Sequence, residues 1–166
     1  MWLLVALVAC KHPVTTEVMS QVPDGARTTA VASAGALTPA EARALAENFA
    51  RVHFALDSAT LEAPAKAALA DNARILRGHP EVRVEVQGHA DARGTVDYNL
   101  ALGERRGRAV VDQLVAAGVS PARLTLVSYG EERPLAAGAG EVAWAENRRA
   151  EFRVLNGGPA LRGTVP

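Results

Sequence analysis

Apolar and polar residues alternate in several short stretches of the chain, and stretches of helical spacing lie between them. Val52-His53-Phe54-Ala55-Leu56 turns Val52, Phe54 and Leu56 to one side, as a half-buried strand does. Residues 81–87 set Val82, Val84 and Val86 inward against Arg83, Glu85 and Gln87 outward. Residues 123–129 and 149–155 read as two further strands. Thr38-Pro39-Ala40-Glu41 opens a first helix with a capping threonine, a proline at the first helical position and a glutamate three residues past the cap. A second helix runs through APAKAALADNARILRGH, with Ala65, Ala68, Leu69, Asn72, Ile75 and Leu76 on one face and Gly78 and Pro80 ending it. A third spans about 98–117 and closes at Gly118. The order α-β-α-β-α-β-β predicts an α+β fold, a βαβαββ sandwich behind a leading helix, with helices packed on one face of a mixed four-stranded sheet.

The flanks differ in character. MWLLVALVA carries no charge, is too short to span a bilayer, and resembles the hydrophobic part of a secretory signal without its positive start. Leu7-Val8-Ala9-Cys10 looks like a bacterial lipobox, which makes 1–9 a signal peptide and Cys10, the single cysteine, the lipidated residue. Lys11 after that cysteine fits export to the outer membrane, with the protein held on its periplasmic face. Residues 10–37 have no sustained period and read as a flexible tether, the domain as 38–155, and 156–166 as a flexible tail. With 18 basic and 18 acidic residues the net charge is zero, and aromatics are only 4%, so neither a phosphate-binding nor a base-stacking surface is indicated and no nucleic-acid partner is expected.

The candidate chemistry sits in GHADARGTVDYNLALGERR, residues 88–106. On a wheel of the third helix, Leu100, Gly103, Gly107, Val110, Val111 and Leu114 share one face, the expected buried one. The glycines there imply close packing on the sheet. Arg105 points about 160° away, whereas Arg106 and Asn99 lie about 100° and 80° round on a common flank. Asp91 lies in the turn just before the helix. A carboxylate and a guanidinium placed so can grip a zwitterion, the aspartate taking an ammonium and the arginine a carboxylate. The spacing equally allows Asp91 and Arg106 to pair with each other, and both readings stand open at this level.

The region resembles the OmpA-like peptidoglycan-binding domain family and, within it, the peptidoglycan-associated lipoproteins. The resemblance is carried by Gly88-His89-Ala90-Asp91, Arg93-Gly94-Thr95, Tyr98-Asn99, Leu102-Gly103-Glu104-Arg105-Arg106, Val127-Ser128-Tyr129-Gly130-Glu131 with Pro134, and Asn147-Arg148-Arg149-Ala150. Upstream, 52–57 matches the family's first strand, with Leu56 where a second Phe is usual. It covers roughly 50–155 and implies the OmpA C-terminal-like sandwich. It further implies a ledge for diaminopimelate of peptidoglycan, with Asp91 on the ammonium, Arg106 on the carboxylate, Asn99 and Asp57 as flanking partners, and Leu100 lining the pocket through its backbone. The implied protein tethers the outer membrane to the cell wall through its lipid, in a Tol-Pal system, with TolB among its partners.

Competing chemistries are thinner. His89-Ala90-Asp91, with Asp97 and His53 elsewhere, is too sparse for a zinc site, and neither metal nor cofactor is expected. No Gly-x-Ser-x-Gly is present and Ser128 has no evident base, so no enzyme is expected; a wall hydrolase using carboxylate pairs is the enzymatic alternative. Residues 131–146, containing Trp144, form a long expected loop, which suggests an envelope protein-interaction module outside Tol-Pal as the other alternative.

Overall fold

The computed structural model describes residues 37–155. Cys10, the signal and tether up to residue 36, and the tail from 156 lie outside the described residues. Nine elements follow in order: α1 (Pro39–Ala46), β1 (Val52–His53), α2 (Ala63–Gly78), β2 (Arg83–His89), α3 (Val96–Ala116), a 3-10 turn (Pro121–Arg123), β3 (Leu124–Gly130), α4 (Glu141–Asn147) and β4 (Arg149–Leu155). The capping box of α1 forms as its sequence requires, Glu41 N–H donating to Thr38 Oγ1 while the Glu41 carboxylate accepts from Thr38 N–H.

One mixed sheet runs in the order β1-β4-β2-β3, with β2 and β3 parallel and the other pairs antiparallel. The parallel pair needs a crossover, and α3 supplies it. Val82, Val84 and Val86 are fully buried and meet Leu69, Ala73 and Leu76 of α2 and Val110 and Leu114 of α3 in one core. Asn72 is buried among them because it acts as a backbone surrogate, donating to Ala50 O and accepting from Ala50 N–H, both at 2.9 Å. Arg123 ties the end of α2 to the sheet, its guanidinium reaching the carbonyls of Leu76, His79 and Val82.

The glycines of α3 pack as the helical wheel implies. A Cβ on Gly88 of β2 would strike the Gly103 carbonyl, and one on Gly107 would strike the Leu126 side chain. Backbone thus lies on backbone where α3 crosses β2 and β3, which brings the N-terminal half of the helix down onto the strand ends.

Three expectations are corrected. The first strand stops at His53, and Leu56, expected to be buried, is 57% exposed in a loop. The 131–146 segment is not all loop, since it contains α4, whose seven residues are too few to show a period. The buried face of α3 consists of Asn99, Leu102, Gly103, Arg106, Gly107, Val110 and Leu114, so Asn99 and Arg106 lie inside rather than on an exposed flank, and Leu100 and Val111 are only half-buried. The wheel was centred on apolar residues, whereas the helix turns two polar ones inward, where the loops at its N-terminal end have polar backbone to offer.

Candidate functional site

Where β2 ends, the chain turns through Asp91 to Thr95 and enters α3, whose N-cap is Thr95. The turn needs Gly94, at φ +110°, a conformation that L side chains rarely adopt. Opposite lies the loop after β1, in which Asp57 is the one non-glycine residue of positive φ among those described, at 53°. Aspartate tolerates that conformation better than most residues, at a cost of order 1 kcal/mol. Between turn and loop opens a cavity of about 320 Å³ lined by Leu56, Asp57, Asp91, Arg93, Gly94, Tyr98, Asn99 and Leu102.

Three of the five sequence-derived candidates, Asp57, Asp91 and Asn99, meet at this cavity. Leu100 is not among the lining residues: its carbonyl accepts from Ser128 Oγ at 2.6 Å, and the leucines of the wall are Leu56 and Leu102. Arg106 is not a wall residue either. It is 0% exposed, and its guanidinium donates to Ser58 O (2.8 Å), His89 O (2.8 Å) and Ala55 O (3.1 Å), with Phe54's ring 5.3 Å away. All three acceptors are neutral, and no carboxylate of the described residues forms an ion pair with it. Burial pushes its pKa down to about 10, opposed by the charges of Asp91 and Asp57 and reinforced by those of Arg148 and Arg105. A buried cation without a bonded counter-charge is costly to keep and receptive to an incoming anion.

Asp91 does not pair directly with Arg106. Its carboxylate, 5% exposed, accepts from Arg93 N–H (3.1 Å), Arg93 Nε (3.0 Å) and Arg93 Nη2 (2.7 Å), with Arg148 Nη1 at 3.5 Å. Burial alone would raise its pKa, but the Arg93 hydrogen bonds and the nearby arginine charges outweigh this and hold it below the usual carboxylate range. Asn99 donates to Arg93 O (3.1 Å) and Glu131 (2.5 Å), fixing the turn from below.

Arg93, Tyr98 and α4 are site components that the sequence did not single out. Glu141 of α4 bridges Arg93 (3.6 Å) and Arg148 (2.7 Å), and the Trp144 ring lies 4.2 Å beneath the Arg93 guanidinium. Thus α4 braces both arginines of Asp91. Arg93 stands among the motif residues and could have been found there; the Glu141 bridge depends on tertiary contact and carries no local signal.

His89, whose carbonyl holds Arg106, has its ring 1% exposed and stacked 5.5 Å from that of Tyr129. Neither ring nitrogen has a hydrogen-bond partner among the described residues. Burial, assisted by the charges of Arg149 and Arg133 and opposed by Glu151, lowers its pKa to about 4. The unfolded chain, with a histidine near 6.5, then binds the proton that the folded chain refuses. Stability is therefore whole above about pH 6.5 and falls as pH drops toward 4, by on the order of 3 kcal/mol from this residue. Urea midpoints measured across that range should fall more steeply for the wild type than for His89→Phe.

Among the described residues no three or more histidine, cysteine, aspartate or glutamate side chains converge as a metal site would require, and no helix is long and apolar enough to cross a membrane.

Comparison with known proteins agrees with this architecture. Residues 53–148 match the OmpA family. A peptidoglycan-associated lipoprotein of Pseudomonas aeruginosa is 52% identical over 101 residues, which is 61% of this chain and 60% of that protein. Its namesake in Brucella melitensis is 43% identical over 125 residues, covering 75% of this chain and 74% of that one. The crystal structure of the peptidoglycan-associated lipoprotein of Burkholderia pseudomallei superposes with a TM-score of 0.61 at 41% identity, over 63% of this chain and 89% of its own. With a family match over more than half its length, the chain belongs to the OmpA family and stands beside relatives called peptidoglycan-associated lipoprotein.

Proposed function

We propose that the cavity between the 55–58 loop and the 91–95 turn holds the free end of a diaminopimelate residue in peptidoglycan, and that the protein is a binder rather than an enzyme. The observation that carries this reading is the charge layout. Asp57 and Asp91 stand in the wall of a cavity whose neighbouring buried cation, Arg106, has only neutral acceptors. A ligand that brings an ammonium to the aspartates and a carboxylate toward Arg106 completes both halves. Asn99 and Leu102 shape the floor between them.

Charge-assisted hydrogen bonds contribute roughly 1.5–3 kcal/mol each, so two give about 3–6 kcal/mol, a Kd from millimolar to tens of micromolar. Such weakness suits a polymeric wall, along which repeated sites and a membrane anchor raise the effective concentration. The anchor in this reading is acylated Cys10, the location is the periplasmic face of the outer membrane, and the system is Tol-Pal. The relatives' name, peptidoglycan-associated lipoprotein, supports the wall and the lipid parts of that reading. TolB, as partner, would dock over the same end of the domain, where Val142 of α4 is 84% exposed close to the Arg93–Trp144 contact. The same exposed valine favours the second reading, an envelope protein-interaction module outside Tol-Pal.

Sedimentation of the full chain with purified cell wall tests the proposal. Walls built with diaminopimelate should carry the protein into the pellet, and free diaminopimelate should compete it off. Walls built with lysine lack the second carboxylate and should retain much less. Equal retention by both walls removes Arg106 from recognition.

A further inference from the structure

The cation that completes the site has no route to a ligand in the conformation seen. Arg106 is 0% exposed, and two of its three acceptors, Ala55 O and Ser58 O, belong to the loop after β1. That loop is itself exposed: Ala55, Leu56 and Asp57 all face solvent. Its cover is therefore a single layer of backbone, and Leu56, at 57% exposure, gives it little apolar anchorage. The loop carries a local turn bond from Ser58 N–H to Ala55 O (3.3 Å). Besides the two bonds from Arg106 itself, one side-chain hydrogen bond among the described residues ties the loop to the rest of the fold, from the Tyr98 hydroxyl to the Asp57 carboxylate. Asp57 is also the residue held at positive φ, so this bond fastens the loop at its least favourable backbone position. Tyr98 can do this because it sits in the first turn of α3, with its ring half in solvent and the Arg105 guanidinium 5.6 Å over it.

We propose that the loop over 55–58 is a latch: the Tyr98 hydroxyl holds Asp57, the loop's carbonyls cap Arg106, and an anionic group of the ligand reaches Arg106 only after this bond is broken. The exchange is chemically reasonable because neutral carbonyls on a guanidinium give way to a carboxylate, which makes a charge-assisted and bidentate pair. It also frees Asp57 to meet the ligand's ammonium. A ligand that binds only the open form has its apparent affinity reduced by the fraction of molecules that are open. Tyr98 thus sets occupancy without needing to touch the ligand. The latch deepens the wall-binding reading and rests on it for the identity of the anion, but the closed loop can be tested without any ligand.

The test is Tyr98→Phe in the full chain, which keeps the ring and removes only the hydroxyl. Amide hydrogen exchange without ligand should quicken about tenfold or more at Ser58 and its neighbours, while α2 and β2 exchange as before. Titration with a soluble diaminopimelate muropeptide should give affinity about 3–10-fold tighter than wild type and faster association. Unchanged exchange at Ser58 overturns the latch, and so does binding that is equal or weaker, since the hydroxyl would then be idle or a ligand contact. If the wild type fails to bind the muropeptide, the wall reading falls and the exchange experiment still decides the latch.

Discussion

Arg106→Ala is expected to abolish sedimentation with diaminopimelate-type wall and to destabilise the domain by about 3–5 kcal/mol. Both effects have one origin. The guanidinium links two backbone segments through three carbonyls, at Ala55 and Ser58 after β1 and at His89 at the end of β2. Truncation leaves buried carbonyls unpaired, at about 1–3 kcal/mol each where water cannot reach, and opens a cavity beside Phe54. At on the order of 4 °C per kcal/mol, the melting temperature should drop by about 12–20 °C. Arg106→Lys separates fold from recognition. Its ammonium keeps the charge but cannot span three acceptors or offer a planar fork to a carboxylate. It should fold, melt lower by a smaller margin, and bind the wall at least about tenfold more weakly. A lysine variant that binds as well as wild type would show that charge alone suffices.

The second large effect is structural and lies at the crossing of α3 over β2. Gly88→Ala should cost about 3 kcal/mol or more, the upper end of overpacking, because the added methyl meets the backbone of Gly103 rather than a side chain that can rotate away. Displacing α3 here also moves Asn99, Leu102 and Arg106 together, since all three stand on its buried face. Wall binding should therefore weaken even below the melting temperature. Gly78→Ala is the matched control: its new methyl meets nothing within 4 Å, at the last residue of α2. It should be neutral or slightly stabilising. Thermal melts of the two variants beside wild type decide this, and a Gly88→Ala protein that melts like wild type would contradict the packing account.

Much of the fold was legible because it is written in local periods. The valines of 82–86, the capping box at Thr38 and the glycine pair of α3 each carry their own signal and lie where that signal puts them. What was not legible has a common cause. Asn99 and Arg106 are polar residues turned inward, and an amphipathic wheel assigns polar residues to the outside by construction. The burial of Arg106 becomes sensible only when the loop carbonyls of Ala55 and Ser58, about fifty residues away in sequence, are brought over it. That of Asn99 does so when Arg93 O and Glu131 meet its amide. The Leu100 carbonyl accepts from Ser128 Oγ, a tertiary contact that carries no local signal. The resemblance found Asp57, Asp91 and Asn99 at the cavity, but neither it nor the spacing revealed that Arg93 occupies the Asp91 carboxylate or that Glu141 and Trp144 support Arg93.

That occupancy bears on how the site works. An ammonium approaching Asp91 would compete with the Arg93 side chain, which is one-third exposed and also held by Glu141 and Trp144. The unliganded site is therefore internally satisfied on both sides, with Arg93 on the aspartate and carbonyls on Arg106. On the wall-binding proposal, ligand binding is an exchange of partners rather than the filling of an empty charge pair, which is a further reason to expect modest affinity per site.

Calorimetric titration of the full chain with two soluble muropeptides, identical except that one carries diaminopimelate and the other lysine, tests the central claim most directly. Recognition of both charges predicts measurable binding of the first and about 10–100-fold weaker binding of the second, the worth of one charge-assisted pair. Equal affinities would mean that the second carboxylate is not read and would contradict the assignment of Arg106 as its partner.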